Sequence, residues 1–302
     1  MKKSQPVSRN QTIGQTIAPR KRPKRKNPFI TGFIAMIVLV ILFFFAYQKY
    51  QRASHYYNQF LYQSEWQMED EHAMMQSQPT VILTVGMAFP DAGRIQPEQV
   101  IAWQLTAINP QTKKSIQFIL SPELKIGDKT LAEYNPRKEM IQIQSQIETL
   151  INTPVQYATL YNLSHARPLF EKLQGLAIQA ETNLQLDDKA ITAGEETLLS
   201  TRQVLQYILH DSDETNEMTA QRQLEVMDSL RKKLFDWQHF LNWQYYFEAA
   251  DTAINSSITW KEFLRLSQPS WQQSLDNATH VMISTANQDE VRQQIQRLMS
   301  EE

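Results

Sequence analysis

The 302-residue chain contains no cysteine. This absence excludes disulfide bonds, cysteine nucleophiles and zinc sites with cysteine ligands. The fold must therefore be stabilised by its hydrophobic core. Sites based on histidine are not indicated either, because the six histidines show neither an i, i+4 pair nor another spacing typical of metal ligands.

Acidic residues are absent from the first 47 positions, whereas nine lysines and arginines precede residue 28. Residues 28–47 then carry no charged side chain at all. A helix of about 20 apolar residues spans a membrane, and flanking basic residues stay in the cytoplasm. We therefore expect a basic cytoplasmic tail at 1–27, a single transmembrane helix at 28–47 and an extracellular remainder. A cleaved signal peptide is the alternative, but its apolar core is usually only about 7–15 residues long.

The remainder has the opposite charge, with 21 lysines and arginines against 32 aspartates and glutamates. This balance argues against nucleic acid as a partner, whereas the basic tail and the apolar run favour membrane lipid. A chain of roughly 250 residues outside the membrane is long enough for one sizeable domain. Small eukaryotic secreted domains often depend on disulfides, so a cysteine-free domain of this size favours a bacterial cell surface.

The outer chain is predicted to begin with a polar helical stalk at 48–78, followed by a domain at 79–266 and a C-terminal extension at 267–302. Strands are predicted at 81–86, 100–108, 115–120 and 155–161, and helices at 140–149, 166–173, 201–208 and 217–247, the last as one helix or a pair. Strands that alternate with helices predict an α/β fold, with a mixed central sheet covered by helices. The extension has a candidate strand near residue 280 and a short helix at 288–299.

Segments with recognisable motifs follow one another at 107–115, 129–134, 155–162, 173–176, 194–207, 221–223 and 255–264. In order and spacing they resemble the LytR-CpsA-Psr family of bacterial envelope proteins, which have an inner tail, one membrane helix and an outer α/β domain. Members of that family hold a polyprenyl diphosphate with arginines, bind Mg²⁺ with aspartates and transfer the attached glycopolymer to peptidoglycan. The resemblance implies this fold for residues 79–266.

The arginines and aspartates that the family uses are largely replaced in this chain. The corresponding positions hold Gln96, Glu123, Leu124, Leu209, Asp211 and Thr219. A carboxylate at Glu123 reverses the local charge, and two like charges about 4 Å apart repel by about 4 kcal/mol at an effective dielectric of 20. Arg222 keeps its place beside Gln223, and Arg94 and Arg202 are displaced candidates for phosphate binding. Glu98 is the candidate cation ligand in place of an aspartate.

Each of these candidates also has an ordinary structural interpretation. Arg222 is more typical of a helix residue in an ion pair than of a ligand contact. The acidic segment 211–217 lacks the ligand spacing of a calcium loop, which favours a solvated turn. The aromatic residues between 237 and 247 are typical of a core, although they are also suited to lining a groove for a lipid chain.

We therefore expect a membrane-anchored envelope protein that lacks transferase activity, a pseudoenzyme that binds or scaffolds in cell-wall glycopolymer assembly. Its expected partners are membrane lipid, an active LytR-CpsA-Psr paralogue, a lipid-linked glycopolymer or peptidoglycan. The alternative is an active phosphotransferase, and only that alternative requires Mg²⁺ and polyprenyl diphosphate. A second alternative is an envelope sensor or transcriptional attenuator, but a tail of 27 residues is too short for a DNA-binding module.

Overall fold

The computed structural model describes residues 28–66, 74, 76–88, 98–208, 210, 216–236, 242–283 and 287–301. The chain divides into two units after Tyr47. Helix α1 (Pro28–Phe60) includes residues of both units, and in the first unit its side chains from Met36 to Phe45 are exposed. Among the described residues, no helix has the length and apolar character needed to cross a membrane. The membrane helix at 28–47 stays a prediction, and the tail at 1–27 lies outside the described residues.

The second unit contains the strands and the remaining helices. The strands are β1 (Thr80–Ala88), β2 (Gln99–Asn109), β3 (Lys114–Leu120), β4 (Lys125–Ile126), β5 (Lys129–Thr130), β6 (Tyr157–Asn162), β7 (Leu176–Gln179), β8 (Leu184–Gln185), β9 (Ala190–Ile191), β10 (Glu196–Leu199), β11 (Ile254–Ser256) and β12 (Ala278–Ile283). The helices are α2 (Pro136–Ile151), α3 (Arg167–Lys172), α4 (Thr201–Ile208), α5 (Asn216–Phe235), α6 (Trp243–Ala249), α7 (Trp260–Leu266), α8 (Pro269–Asp276) and α9 (Gln288–Ser300).

The described strands of the central sheet are ordered β11-β6-β1-β2-β3-β12. Strand β1 pairs parallel with β6 and antiparallel with β2, and β12 pairs parallel with β3. The predicted α/β class with a mixed sheet is therefore confirmed. Strand β2 also pairs antiparallel with β3, and the parallel pairs join strands that helices separate along the chain.

Successive residues of β1 face opposite sides of the sheet, because side chains alternate along a strand. Val81, Leu83 and Val85 belong to the core cluster formed with α2 and α9. Ile82 belongs to the other cluster, which includes the end of α1 and helices α3 to α8. We call these two sides the α2/α9 face and the α5 face.

The predicted stalk is wrong for residues 48–61, because this segment packs into the domain. Tyr57 is 2% exposed, and its hydroxyl donates a hydrogen bond to the carbonyl of Ile258 at 2.8 Å. Its ring also contacts Trp260 and Phe263. Buried residues Ala53 and Tyr57 of α1, and Leu61 directly after it, are spaced as on one helical face, so the end of α1 has an apolar side that is buried in the domain.

The predicted C-terminal boundary at residue 266 is also too early. The candidate strand and helix of the extension are both present, as β12 and α9. Strand β12 extends the central sheet, and Ile295 of α9 is fully buried in the α2/α9 core. The extension is thus an integral part of the domain. The long segment 217–247 forms a pair of helices, α5 and α6, with residues 237–241 outside the described part.

Candidate functional site

A cavity of about 160 Å³ lies on the α5 face of the sheet. Its walls are mostly aliphatic and aromatic, and come from α1, α5, α6, α7 and the sheet. The apolar lining includes Tyr57, Leu61, Ile82, Leu224, Met227, Leu230, Leu234, Phe235, Tyr246, Phe247, Ala250, Ile258 and Phe263. Of the aromatic residues between 237 and 247, Tyr246 and Phe247 are buried in the core and also line this cavity, whereas Tyr245 is exposed and Trp237 lies outside the described residues.

A row of polar side chains lies across the sheet on this side of the cavity. Strand register places Ser256 opposite Thr159, Thr159 opposite Thr84, and Thr84 opposite Gln104. The hydroxyls of Thr159 and Ser256 are hydrogen-bonded at 2.8 Å, and the Gln104 amide donates to Thr106 at 3.2 Å. The cavity is therefore amphipathic, with apolar walls and a polar floor.

A smaller recess of about 20 Å³ adjoins this floor and shares Thr84, Gln104 and Leu224 with the cavity lining. Gln223, 4% exposed, also lines the recess, and neither its amide nitrogen nor its oxygen has a hydrogen-bond partner among the described residues. A buried polar group without a partner costs about 1–3 kcal/mol. Gly86 lines the same recess, and a Cβ atom there would lie only 3.2 Å from that of Ala102.

The described cationic side chain that lines the cavity is Arg231, and it is already paired with acidic groups. Its guanidinium donates to Asp228 at 3.1 Å and to Asp276 at 2.7 Å, and its side chain is only 13% exposed. Burial raises the pKa of the Asp228 carboxyl, but attraction to Arg231 and bonding to Lys232 outweigh this and lower the pKa overall. The ion pairs with Asp228 and Asp276 therefore neutralise the charge of Arg231.

An acidic cleft of about 140 Å³ shares Leu224 and Asp228 with the cavity lining. Its carboxylates are Glu181, Glu225, Asp228 and Asp276. Burial raises the pKa of Glu225, which accepts a hydrogen bond from the Tyr207 hydroxyl. The surroundings of the cavity are thus unfavourable for a polyanion.

The predicted phosphate-binding residues have separate partners in the structure. Arg222 is 2% exposed and donates to the backbone carbonyl of His210 at 2.8 Å. The side chain of Arg202 is 74% exposed and pairs with Asp187 at 3.0 Å. Neither arginine is among the described residues that line the cavity or its recess. Arg94 lies outside the described residues, so a phosphate site that includes it stays a prediction.

Glu98, the candidate cation ligand, contacts a cation from the protein itself. Its carboxylate accepts hydrogen bonds from Arg137 and Asn162, both at 2.8 Å, and the ring of His165 lies 3.5 Å away. Partial burial raises the pKa of Glu98, but the bonds from Asn162 and Arg137 outweigh it, and the net pKa is lowered. Within the described part of the chain, histidine and carboxylate side chains form no cluster of three that is able to hold a metal.

Structural comparison identifies the fold. The protein gbs0355 of Streptococcus agalactiae matches with a TM-score of 0.60 at 16% identity, over 78% of this chain and 92% of that one. TagV of B. subtilis matches with a TM-score of 0.60 at 12% identity, over 75% and 99%. TagT bound to LIIa-WTA matches with a TM-score of 0.59 at 14% identity, over 79% and 97%. These are LytR-CpsA-Psr proteins.

The domain has the LytR-CpsA-Psr fold. Known family models and curated protein sequences give no match to this chain. The identities with the solved structures are low, so the likeness concerns the fold alone. The resemblance predicted from the order of sequence motifs is confirmed at that level.

Sequence reasoning missed three features of this LytR-CpsA-Psr fold domain. It noted Gln223 only as the neighbour of Arg222, although Gln223 is the residue that lines the recess. It did not select Arg231 or Arg137, whose partners are 45 and 39 positions away in the chain. The helical spacing of Leu224, Met227 and Arg231 was the available signal, because it places Arg231 beside the apolar stripe of α5.

Proposed function

We propose that this chain is a cell-envelope protein whose LytR-CpsA-Psr domain binds the apolar chain of a lipid used in glycopolymer assembly and does not transfer the polymer. The observation that carries the proposal is the amphipathic cavity on the α5 face, whose described lining cation is neutralised by two carboxylates. In this role the protein binds or scaffolds, alongside an active paralogue, a lipid-linked glycopolymer or peptidoglycan.

The walls of the cavity favour a hydrocarbon chain. Leu224, Leu230 and Phe247 are 6% exposed or less and line the space together with the phenyl ring of Phe235. Burial of apolar surface is favourable by about 25 cal/mol per Å² removed from water. A flexible isoprenoid or acyl chain gains from this burial whatever head group it carries.

The charges near the cavity argue against phosphoryl transfer. Such a reaction depends on cations that neutralise the phosphate oxygens and position the groups. Arg231 is paired with Asp228 and Asp276, and the neighbouring cleft adds Glu181 and Glu225. These carboxylates disfavour the approach of a diphosphate, so the proposed protein holds a lipid without Mg²⁺ and without chemistry.

The structural neighbours support a role in glycopolymer assembly. TagT has been solved bound to ligands named LIIa-WTA and LI-WTA, where WTA denotes wall teichoic acid. The same fold in this chain has an apolar cavity on the sheet, which supports a partner from glycopolymer assembly that carries a lipid chain.

The proposal includes a membrane anchor at residues 28–47, with residues 1–27 in the cytoplasm and the domain outside. Its support is the uncharged run of 20 residues after a purely basic tail. Protease treatment of intact cells that carry an epitope at each end of the chain tests this topology. Loss of the C-terminal epitope alone is expected, and loss of both epitopes or neither would contradict it.

The test of function uses the full chain in nanodiscs, incubated with a polyprenyl-diphosphate glycan, peptidoglycan and Mg²⁺. An active LytR-CpsA-Psr protein serves as positive control. We expect no release of polyprenyl phosphate above background, while the lipid chain still binds to the protein. Release at a rate near that of the control would establish instead a transferase, with Arg94, Arg202 and Arg222 as its phosphate-binding candidates.

A further inference from the structure

Helix α6, which forms part of the cavity wall, also has an exposed side next to the beginning of the domain. Tyr245 of α6 is 46% exposed, and the ammonium nitrogen of Lys49 lies 5.7 Å from the centre of its ring. We propose that Tyr245 and Lys49 form a membrane-contact surface, with the tyrosine ring in the lipid head-group layer. This inference rests on the proposed function for the membrane anchor at residues 28–47, and it adds a second contact between the protein and the membrane.

Distance along the chain supplies the first argument. Lys49 follows the last residue of the proposed anchor by two positions, and two residues span at most about 7 Å even when fully extended. The polar layer on each side of the hydrocarbon core is about 5–7 Å thick, so the backbone of Lys49 lies in this layer or directly beside it. Because Tyr245 contacts the end of the Lys49 side chain, it stays near the membrane surface whatever the direction of the anchor.

The packing of the domain supplies the second argument, because it holds Lys49 and Tyr245 side by side. The ring of Tyr50, next to Lys49, contacts Trp260 with 5.7 Å between the ring centres. The ring of Trp243, at the start of α6, also contacts Trp260 at 5.7 Å. Trp260 is only 5% exposed. The beginning of the domain and α6 are therefore both fixed to one buried aromatic residue.

The types of residue at this surface supply the third argument. Among the described residues after Tyr47, Tyr245 is the one aromatic side chain that is exposed. Tyrosine combines an apolar ring with a polar tip and is enriched where a membrane meets water, and lysine stems cover apolar surface while their charged ends stay in water. Glu248, one turn further along α6, is also exposed, and its charge is opposite to that of Lys49. We therefore expect the contact to depend on the ring and not on anionic lipid.

This position of α6 brings the cavity close to the membrane. Tyr246 and Phe247 directly follow Tyr245, and both line the cavity. Helix α6 has seven residues and is about 10 Å long, so this wall of the cavity lies within about one helix length of the head groups. A lipid in the cavity therefore stays near the leaflet.

Site-directed spin labelling tests the contact, and the absence of cysteine means that no native residue has to be removed first. The full chain in phosphatidylcholine nanodiscs carries one label, at Glu248→Cys. Relaxation by oxygen, which dissolves in lipid, is compared with relaxation by a water-soluble nickel complex. The control is Ile141→Cys, because Ile141 is 38% exposed on α2 and belongs to the other face of the sheet. We expect an oxygen-to-nickel ratio at least about threefold higher at residue 248 than at residue 141, and equal ratios would overturn the membrane contact.

A second pair of variants tests the role of the tyrosine ring. In the Glu248→Cys protein, Tyr245→Ser is expected to lower the ratio to the value at residue 141. Leu198→Ser is the matched control, since it removes a 58% exposed apolar side chain from β10, and it should leave the ratio unchanged. Both side chains are exposed, so neither change empties the core. A ratio that does not respond to Tyr245→Ser would overturn the contribution of the ring.

A label inside the proposed anchor, at Val38→Cys, separates this inference from the proposed function. A high oxygen-to-nickel ratio at residue 38 with a low ratio at residue 248 would overturn the contact at α6 and leave the anchor intact. A low ratio at residue 38 would show that residues 28–47 do not enter the membrane, and it would overturn the anchor on which both proposals depend.

Discussion

The two faces of the central sheet are covered in different ways. On the α2/α9 face, Val81, Leu83 and Val85 of β1 are all fully buried in an apolar core. On the α5 face, the alternate positions hold Ile82, Thr84 and Gly86, and a cavity lies above them. The same strand therefore contributes to a solid core on one side and to a lined space on the other.

This difference indicates that one face of the sheet contributes more to stability and the other more to ligand binding. Protein interiors are usually packed to the density of organic crystals, and both cavities and unpartnered polar groups reduce stability. The α5 face has the cavity, whereas unpartnered polar atoms occur on both faces, at Gln223 on one and at the Gln144 oxygen on the other, and the apolar core of the α2/α9 face offsets these costs. We infer that the α2/α9 face stabilises the fold, so that the α5 face can keep a space for a ligand.

The largest change in the free energy of unfolding is expected when a buried leucine is truncated, and the two faces should differ in its size. Leu298→Ala in α9 should reduce the free energy of unfolding by about 2–5 kcal/mol, because it leaves a hole in a packed core. Leu224→Ala in α5 should cost less, because Leu224 already borders the cavity and loses fewer contacts. The two leucines are 4% and 6% exposed, which makes them a matched pair in urea unfolding. Equal losses would contradict the difference in packing.

A smaller change in the free energy of unfolding is expected when either of two buried glutamines is replaced by methionine. Gln144 on the α2/α9 face is fully buried, and its amide nitrogen donates to the carbonyl of Val155 at 3.3 Å while its oxygen has no partner among the described residues; for Gln223, neither amide atom has such a partner. Gln223→Met should therefore raise the free energy of unfolding by about 1 kcal/mol, and Gln144→Met should lower it by about the same amount. Thermal unfolding of both variants checks the signs, and stabilisation by both would show that the faces do not differ in this respect.

Two carboxyls should give opposite pH dependences. The pKa of Glu98 is lowered in the fold, so its stabilising contribution is complete above the ordinary glutamate pKa and is lost as pH falls through the lowered value. The pKa of Glu225 is raised, so stability falls as pH rises from the ordinary value through the raised one. Unfolding measured from pH 3 to 8 checks this, with Glu98→Gln and Glu225→Gln each removing one of the two slopes. Slopes that persist in both variants would assign the pH dependence to other groups.

The smallest effect is expected at Arg202, the exposed member of the phosphate-binding candidates. Its ion pair with Asp187 is solvated on both sides, and such pairs contribute less than about 1 kcal/mol. Arg202→Ala should leave both the unfolding midpoint and farnesol affinity unchanged within error. A marked loss of ligand affinity would place Arg202 in a phosphate site and favour the transferase.

Much of the fold could be predicted from local signals. The β-branched run at 81–86 and the order of motifs from residue 107 to 264 indicated the sheet and its helices. The prediction of a stalk is wrong for residues 48–61 because Tyr57 is buried by residues about 200 positions later in the chain, such as Ile258. Polar neighbours made the segment resemble a spacer, and no local pattern shows which distant residues cover its aromatic side.

The site was less accessible to sequence reasoning for a related reason. Arg222 was identified by its residue type and position, but its guanidinium bonds to a backbone carbonyl, which a sequence does not reveal. Gln223 is notable only because both polar atoms of its buried amide lack a hydrogen-bond partner among the described residues. The ion pair of Arg231 with Asp276 likewise depends on the packing of α8 against the cavity region.

Photo-crosslinking tests the central claim most directly. A farnesol analogue with a diazirine on its chain, irradiated with the full protein in nanodiscs, labels whichever face holds the lipid. We predict that mass spectrometry will find the label on α5 near Leu224 and Met227, and that excess farnesol will remove it. Labelling confined to α2 or α9, or labelling that farnesol does not compete for, would contradict the account.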